Sequence, residues 1–190
     1  MILLRAFLLA GLVVHKIVWE ALKRRKHPGG KPSPEKRPAG LALVKAAKIG
    51  ILVGIVVQTL SPELFPITAE PFALRVVGTV IYSIGLAVAL AGRIQLGDNW
   101  ADIETARIVE NQDLVAAGLY RYIRHPIYVG DLMLLFGLEL ALNSWLVVAV
   151  VALVPVVLWK ALREEKMLVR TLPGYDKYCA RTKRFVPFTV

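Results

Sequence analysis

The sequence has few of the residues from which metal centres and disulfide frameworks are built. Its 190 residues include one cysteine and only three histidines, at positions 15, 27 and 125. A single cysteine excludes an internal disulfide and any multi-cysteine zinc or iron–sulfur site. So few histidines argue against a histidine-rich centre. We therefore expect no metal site.

Several sequence motifs of soluble enzymes are missing as well. The chain has no G-x-G-x-x-G, no G-x-x-x-x-G-K, no H-E-x-x-H and no G-x-S-x-G, which are the signatures of common nucleotide-binding, metalloprotease and serine-hydrolase sites. Cys179 has no histidine near it in sequence. Because a reactive cysteine needs an activating base or charge, we interpret Cys179 as a small residue with no nucleophilic role.

Charge is scarce and apolar residues are abundant, which favours a membrane protein. Only 20% of the residues are charged and 56% are apolar. Stretches long enough to cross a bilayer occur at 1–22, 41–60 and 73–94, and a longer one at 127–160 is broken at Asn143-Ser144. The last stretch is too long for one span, so we read it as two. The sequence thus predicts an all-α, polytopic membrane bundle of five helices, with the last two forming a hairpin.

The first span has an alternative interpretation as a secretory signal. No small-residue cleavage site follows it, and the chain continues as HKIVWEALKRRK. This pattern favours a retained helix. A pair of glycines in the second span, Gly50 and Gly54, has the small-xxx-small spacing that lets helices approach closely, although a lone pair is weak support for such a contact.

The charges between the spans predict their orientation. The loop 23–40 carries seven basic residues and one acidic residue, whereas the loop 61–71 has two glutamates and no basic residue. Because basic loops stay in the cytoplasm, the first loop is predicted to be cytoplasmic and the second to face the opposite side. The basic loops account for the net charge of +10, and without a basic helix interleaved with aromatics we expect no nucleic-acid partner.

This topology divides the chain in two. Residues 1–94 would form three membrane helices with the basic loop 23–40. Residues 95–190 would form the catalytic region, with a cytosolic segment at 95–126, the hairpin at 127–160 and a cytosolic tail at 161–190. The open end of the hairpin would bring the two cytosolic segments together.

Two polar clusters lie at this predicted junction. Arg121, Arg124 and His125 precede Pro126, which suits the first turn of a helix. Free amides at a helix start favour an anionic group, but basic residues also commonly anchor spans at lipid headgroups. The second cluster, around Arg163 and Glu164, is either a solvated helix end or a pair that grips a polar ligand. Asp131 and Glu139 lie inside the fourth span, where carboxylates usually line a polar path or pair with a base.

Both clusters resemble motifs of one enzyme family. Leu114-Val115, Gly118-Leu-Tyr120 and Arg124-His125-Pro126-Ile-Tyr128-Val-Gly130 resemble the L-V-x-x-G-x-Y…R-H-P-x-Y-x-G pattern of the isoprenylcysteine carboxyl methyltransferases. The later Glu164-Glu165…Gly174-Tyr175…Tyr178…Pro187-Phe188 run resembles the ending of the same family. The resemblance covers residues 92–190. It extends to the wider group of integral membrane methyltransferases, which includes phospholipid N-methyltransferases.

The resemblance implies S-adenosylmethionine as methyl donor, with S-adenosylhomocysteine as product, and a lipid-modified, prenyl-like acceptor at the cytoplasmic face of the bilayer. The implied cofactor-binding residues surround the R-H-P motif. They are Gln112, Asp113, Leu114, Val115, Tyr120, His125, Pro126, Ile127, Tyr128 and Gly130.

The implied catalytic residues are Glu164 and a neighbouring cation. We assign the cation to Arg163, which is adjacent to Glu164, although an ungapped match to the family places it at Lys160. A carboxylate acceptor is already ionised at neutral pH, so the enzyme would mainly hold oxygen, methyl carbon and sulfur in line. The cation would hold the acceptor carboxylate and Glu164 would orient the cation.

Three other functions compete with this one. A phospholipid N-methyltransferase of the same architecture would need a base for its amine acceptor, and Glu164, Glu165 or Asp131 could serve. A non-catalytic scaffold could bind anionic lipid through the basic loops. A membrane reductase with a nicotinamide cofactor is opposed only weakly by the missing glycine-rich motif.

The predicted topology is testable by cysteine labelling. Cysteines introduced at Ser33 and Ser61 should react with a membrane-impermeant reagent from opposite sides, because the two loops differ in basic charge. Reaction of both from the same side would contradict the orientation.

Overall fold

The computed structural model describes residues 1–26, 39–61, 64–99 and 113–187 and shows helices in all four ranges but no strand. The long helices are α1 (Ile2–Lys26), α2 (Ala39–Leu60), α3 (Phe72–Leu96), α4 (Pro126–Ala141) and α5 (Val147–Thr171), followed by a short α6 (Tyr175–Arg181). Turns of 3-10 helix lie at Gly97–Asn99 and Gly118–Arg121. The prediction of an all-α chain is confirmed for these residues.

Membrane character is clearest in two of these helices. The stretches Ile2–Lys23 and Phe72–Asn99 are long and apolar enough to cross a bilayer, and a shorter apolar stretch lies at Ile49–Leu60. The count of five spans stays a prediction, as does the division of the chain at residue 94. Most of the basic loop, residues 27–38, lies outside the described residues.

Helices α3 and α4 pack with their backbones almost in contact. A side chain on Gly85 would collide with the backbone of Gly130 and Leu134, and one on Gly137 would collide with the backbone of Gly78 and Tyr82. These glycines recur every seven residues on each helix, so they form one stripe on each facing surface. Small residues at such a stripe let membrane helices approach closely. A side chain on Gly50 or Gly54, by contrast, would meet no atom of another described element within 4 Å of its Cβ.

The core of the bundle is built around this contact. Leu8 of α1, Tyr82 of α3 and Leu134 and Leu138 of α4 are buried together, and the Tyr82 hydroxyl donates a 2.6 Å hydrogen bond to the carbonyl of Leu8. A tyrosine hydroxyl buried among apolar groups needs such a partner. The bond therefore attaches α1 to the α3–α4 pair.

The chain turns sharply between α4 and α5. Asn143 adopts a left-handed backbone conformation, with φ of 58°, which asparagine tolerates better than most residues. Its side-chain amide donates to the carbonyl of Thr68 over 2.8 Å and its carbonyl oxygen accepts from the amide of Thr68. Two residues before the end of α4, the buried carboxylate of Glu139 accepts a 2.7 Å hydrogen bond from Gln58 of α2. These bonds satisfy polar groups at the end of the bundle away from Pro126.

The glycine contact generates a stability prediction. Gly137→Ala should lower the free energy of unfolding by about 1–3 kcal/mol, because its methyl group meets the α3 backbone, which cannot give way as a side chain can. Gly54→Ala is the matched control: it adds the same methyl group to an open position and should be neutral or slightly stabilising. Unfolding in detergent compares the two. Equal effects would show that the close approach of α3 and α4 does not limit stability.

Candidate active site

Two segments that are far apart in sequence meet at the start of α4. Residues 122–125 run alongside residues 183–184: the amide of Lys183 donates to the carbonyl of Tyr122 over 3.1 Å, and the amide of Arg124 donates to the carbonyl of Lys183 over 2.8 Å. The amide of His125 donates to the carbonyl of Arg184 over 3.2 Å. The C-terminal segment is therefore part of the same structure as the R-H-P motif.

Glu165 of α5 lies at the centre of this junction. Its Oε1 accepts a 2.9 Å hydrogen bond from Nε of Arg124 and lies 3.0 Å from Nε2 of His125. Arg184 binds the same carboxylate with its guanidinium, with Nη2 2.8 Å from Oε2. The side chain of Glu165 is only 10% exposed. A buried carboxylate is stable only when it is paired and hydrogen-bonded in this way.

The partners of Glu165 outweigh the cost of burying it. Burial alone raises the pKa of a carboxyl group, but hydrogen bonds from His125, Arg184 and Arg124 hold the pKa of Glu165 well below its usual range. Glu165 is therefore ionised throughout the physiological pH range. The cluster carries a fixed negative charge surrounded by donors.

His125 connects this buried carboxylate to a second one. Its ring stacks on Tyr128, with centroids 5.3 Å apart and planes 10° apart, and its Nδ1 lies 3.9 Å from Oε2 of Glu164. The Tyr128 hydroxyl donates a 2.8 Å hydrogen bond to that same oxygen. Glu164 is more accessible than Glu165, with 23% of its side chain exposed against 10%. Glu164 and Tyr128 therefore form the more open side of the site.

The two cations considered for the acceptor occupy different surroundings. Nζ of Lys160 lies 5.5 Å from the centroid of the Tyr128 ring, so it borders the Tyr128–Glu164 pair. The guanidinium of Arg163 lies 4.8 Å from the ring of Trp159, one helical turn earlier on the exposed surface of α5. The structure thus brings Lys160 and Glu164 to the same aromatic ring and does not bring Arg163 there.

The remaining predicted residues divide between the site and its frame. Pro126 is the first residue of α4 and is buried, as is Ile127. Gly130 packs against the backbone of Ala89, which is a helix-packing position. Tyr120 is buried and donates to the carbonyl of Gly92 over 3.3 Å.

The segment before the motif is only partly described. Asp113 is exposed and its amide donates to the side chain of Asn99 over 2.7 Å. Leu114 packs on the cluster of Leu168, Leu172, Tyr175 and Tyr178. Val115 is half-buried. Gln112 lies outside the described residues. The site assignments of all these residues stay predictions.

Sequence reasoning missed the contribution of the C-terminal segment. Arg184 was not singled out, although its guanidinium binds Glu165, nor was Phe185, whose ring centroid lies 5.7 Å from that of His125. A short parallel pairing between Ile123 and Lys183 causes both contacts. The only sequence signal was the position of Arg184 just before the Pro187-Phe188 ending.

A second titratable pair lies nearby. His15 of α1 stands with Nε2 3.0 Å from Oδ1 of Asp131, and its ring stacks on Trp19 with centroids 4.7 Å apart. Asp131 follows Tyr128 by three residues, so the two side chains share one face of α4. The pair is partly open to solvent, with side chains 23% and 38% exposed.

Cys179 is half-buried and belongs to no disulfide within the described residues. Burial raises the pKa of the Cys179 thiol, which disfavours the reactive thiolate. Within the described ranges, no group of three or more histidine, cysteine, aspartate or glutamate side chains could hold a metal ion.

Known sequences match the region that contains this cluster. A sequence model of the family described as phospholipid methyltransferase matches residues 73–173. The cobalt-zinc-cadmium resistance protein of Cupriavidus metallidurans is 31% identical over 106 residues, which cover 55% of this chain and 46% of the relative. The nickel-cobalt-cadmium resistance protein of Alcaligenes xylosoxydans xylosoxydans is 29% identical over 106 residues, which cover 55% and 47%. The chain spans about half the length of these relatives.

A solved structure has a similar fold. The eukaryotic intramembrane Ras methyltransferase, an isoprenylcysteine carboxyl methyltransferase, aligns with a TM-score of 0.57 over 88% of this chain and 60% of that one. The identity is 17%, so the likeness is one of fold. Together with the family match, it confirms the family resemblance seen in the sequence.

The Glu165 cluster generates a stability prediction. Glu165→Gln should lower the free energy of unfolding near pH 7 by about 3 kcal/mol, because it leaves buried cations without their counter-charge. Since the folded-state pKa of Glu165 is depressed, its stabilisation is present above the usual glutamate range and is lost as pH falls below it. The wild type and the variant should therefore converge in acid.

Denaturant unfolding across this pH range checks the prediction. Asp176→Asn is the control, since Asp176 is exposed on α6 and its removal should change stability little. A constant difference between Glu165→Gln and wild type at all pH values would show that the carboxylate charge is not what stabilises the fold.

Proposed function

The chain belongs to the phospholipid methyltransferase family, and from this we propose that it transfers a methyl group from S-adenosylmethionine to the polar head of a lipid-bearing acceptor in a membrane. One observation carries the proposal. The R-H-P motif and the Glu164–Glu165 pair, 40 residues apart at His125 and Glu165, share a single cluster of charges. Charged groups whose pKa values are strongly shifted by burial and by specific partners concentrate at functional sites.

The residues of this cluster fit the amino-acid end of the donor. S-adenosylmethionine carries an ammonium and a carboxylate, and when bound it supplies an electrophilic methyl group on a sulfonium. Glu164 is an accessible carboxylate that can accept hydrogen bonds from the ammonium. At the start of α4, the carbonyl of His125 accepts its helical bond from Val129, so the amides of Ile127 and Tyr128 have no acceptor within the helix. Such amides suit a carboxylate.

We assign the membrane arrangement on the same basis. Five spans, with α4 and α5 as a hairpin and the charge cluster at the cytoplasmic face, agree with the basic loop 23–40 and with the position of the Lys160–Glu164 turn beyond the apolar part of α5. An acceptor with a tail in the bilayer would present its head at this depth. Its apolar part would remain among lipid or between helices.

The acceptor we favour is a carboxylate of the isoprenylcysteine type. Lys160, next to Tyr128 and Glu164, is the cation that would hold it, and this geometry supports Lys160 over Arg163. The reaction needs no proton removal, because the carboxylate is ionised at neutral pH. The residues of the site would orient the oxygen toward the methyl carbon and exclude water.

A phospholipid amine is the second candidate, and the His15–Asp131 pair favours it. An amine must lose a proton before it can attack the methyl carbon. The pair lies one helical turn from Tyr128 and is partly open to solvent. It could accept that proton. The name of the matched family also points to this acceptor class.

Transfer of a labelled methyl group tests the proposal. Purified protein in nanodiscs should label either a farnesylated cysteine derivative or phosphatidylethanolamine when given radiolabelled S-adenosylmethionine. Lys160→Ala should lower turnover of the carboxylate acceptor at least tenfold, which is about 1.4 kcal/mol in barrier, with little change in donor affinity. Arg163→Ala is the matched control and should change it much less, because Arg163 packs on Trp159.

Each alternative has its own outcome. A tenfold loss in Arg163→Ala with normal turnover in Lys160→Ala would reverse the assignment of the cation. Labelling of the phospholipid alone, with loss of turnover in Asp131→Asn, would favour the amine acceptor. No binding of S-adenosylmethionine would overturn the proposed function.

A further inference from the structure

Glu165 accepts hydrogen bonds from three side chains, which contact its two carboxylate oxygens differently. Its Oε1 is shared by Arg124, His125 and Arg184, whereas within the described residues both hydrogen bonds to its Oε2, at 3.1 and 2.8 Å, come from Arg184. Arg184 therefore holds the carboxylate as a fork, and a fork fixes orientation as well as charge.

Arg124 and Arg184 also differ in the hydrogen bonds that they make besides those to Glu165. Nη1 of Arg124 donates to the backbone carbonyls of Cys179 and Thr182, so Arg124 helps to hold the end of α6 in place. Within the part of the chain that the structure describes, the hydrogen bonds of the Arg184 side chain all go to Glu165. Its side chain is 37% exposed. Removing the side chain of Arg184 should therefore leave the contacts with the end of α6 intact. Removing the side chain of Arg124 would break them.

The orientation of Glu165 determines which ring nitrogen of His125 carries a hydrogen. An ionised carboxylate 3.0 Å from Nε2 requires that this nitrogen carry a hydrogen. The other ring nitrogen, Nδ1, is thereby directed to Glu164, and the ring is held between Tyr128 and Phe185. A change in the position of Glu165 is thus transmitted through the imidazole ring of His125 to Glu164 and Tyr128, which form the open side of the site.

We infer that Arg184 is a positioning residue of the methyl-donor site: by fixing the Glu165 carboxylate it fixes the His125 ring, and the C-terminal segment 182–185 thereby completes the site. The inference rests on the proposed function, since it concerns the donor that the site is proposed to bind. Arg184 itself need not contact the donor. Its effect passes through Glu165 and His125.

Other charged and titratable groups also surround Glu165. Arg124 and His125 face it from the segment before α4, Glu164 precedes it on α5, and Tyr175, Tyr178 and Cys179 interact with it from α6. Arg184 is the partner that contributes a full charge from the C-terminal segment. Its loss should therefore raise the pKa of Glu165 toward the usual range.

Binding of S-adenosylhomocysteine to the full chain in detergent, measured by calorimetry as a function of pH, tests the inference. In Arg184→Ala, affinity should fall with acid at a higher pH than in wild type, because the pKa of Glu165 rises toward its usual range. Arg184→Lys keeps the charge without the fork and should restore most of the lost pH range. Arg181→Ala is the matched control: it removes an exposed arginine from α6 and should follow the wild-type profile.

Two results would overturn the inference alone. The first is that Arg184→Ala follows the wild-type profile. The second is that it loses the same factor in affinity at every pH without rescue by lysine, as expected of a simple anchor for the C-terminal segment. If wild type binds no S-adenosylhomocysteine at any pH, the proposed function fails and the inference fails with it. Thermal unfolding of the ligand-free protein gives a second readout: the acid limb of its stability should shift in Arg184→Ala and return in Arg184→Lys.

Discussion

The contact between α3 and α4 positions everything else. At Gly85 and Gly137 the two backbones approach so closely that no side chain fits between them. In a bilayer, where apolar burial gives helices little reason to associate, such packing is a main source of their attraction. The stripe continues to Gly92, which packs on Ile127 and accepts a hydrogen bond from Tyr120. The start of α4 is thereby held at a fixed height on α3, and the R-H-P motif with it.

On this frame, the site is stabilised by charge. The carboxylate of Glu165 on α5 draws donors from two other parts of the chain: the segment before α4 supplies Arg124 and His125, and the C-terminal segment supplies Arg184. Removing Glu165 would leave the Arg124 guanidinium buried without its counter-charge, which costs far more than a surface ion pair contributes. The three segments therefore hold one another in place.

Much of this arrangement was visible in the sequence, and the reasons for the rest are physical. Long apolar runs predicted helices, and Pro126 predicted the start of α4, since proline fits a first turn. The sequence also marked His125, Tyr128 and Glu164. It pointed to Gly50 and Gly54 for close packing, whereas the structure uses Gly85 and Ala89 on α3 and Gly137 and Ala141 on α4, two pairs with the same small-xxx-small spacing that were not singled out. The role of Arg184 depends on a pairing between residues 60 apart, Ile123 and Lys183, and no local pattern reports it.

The short length of α4 has a consequence for the surrounding lipid. Its 16 residues give a helix of about 24 Å, whereas the hydrocarbon core of a bilayer is about 30 Å thick. In the proposed topology α4 is a membrane span, and a span this short would be accommodated by local thinning of the bilayer or by lowering its ends beneath the headgroups. The polar groups at both ends, His125 and Asn143, would then lie closer to the bilayer centre than those of a full-length span. In the proposed topology, a change in membrane thickness would therefore change the depth at which a lipid headgroup meets Tyr128.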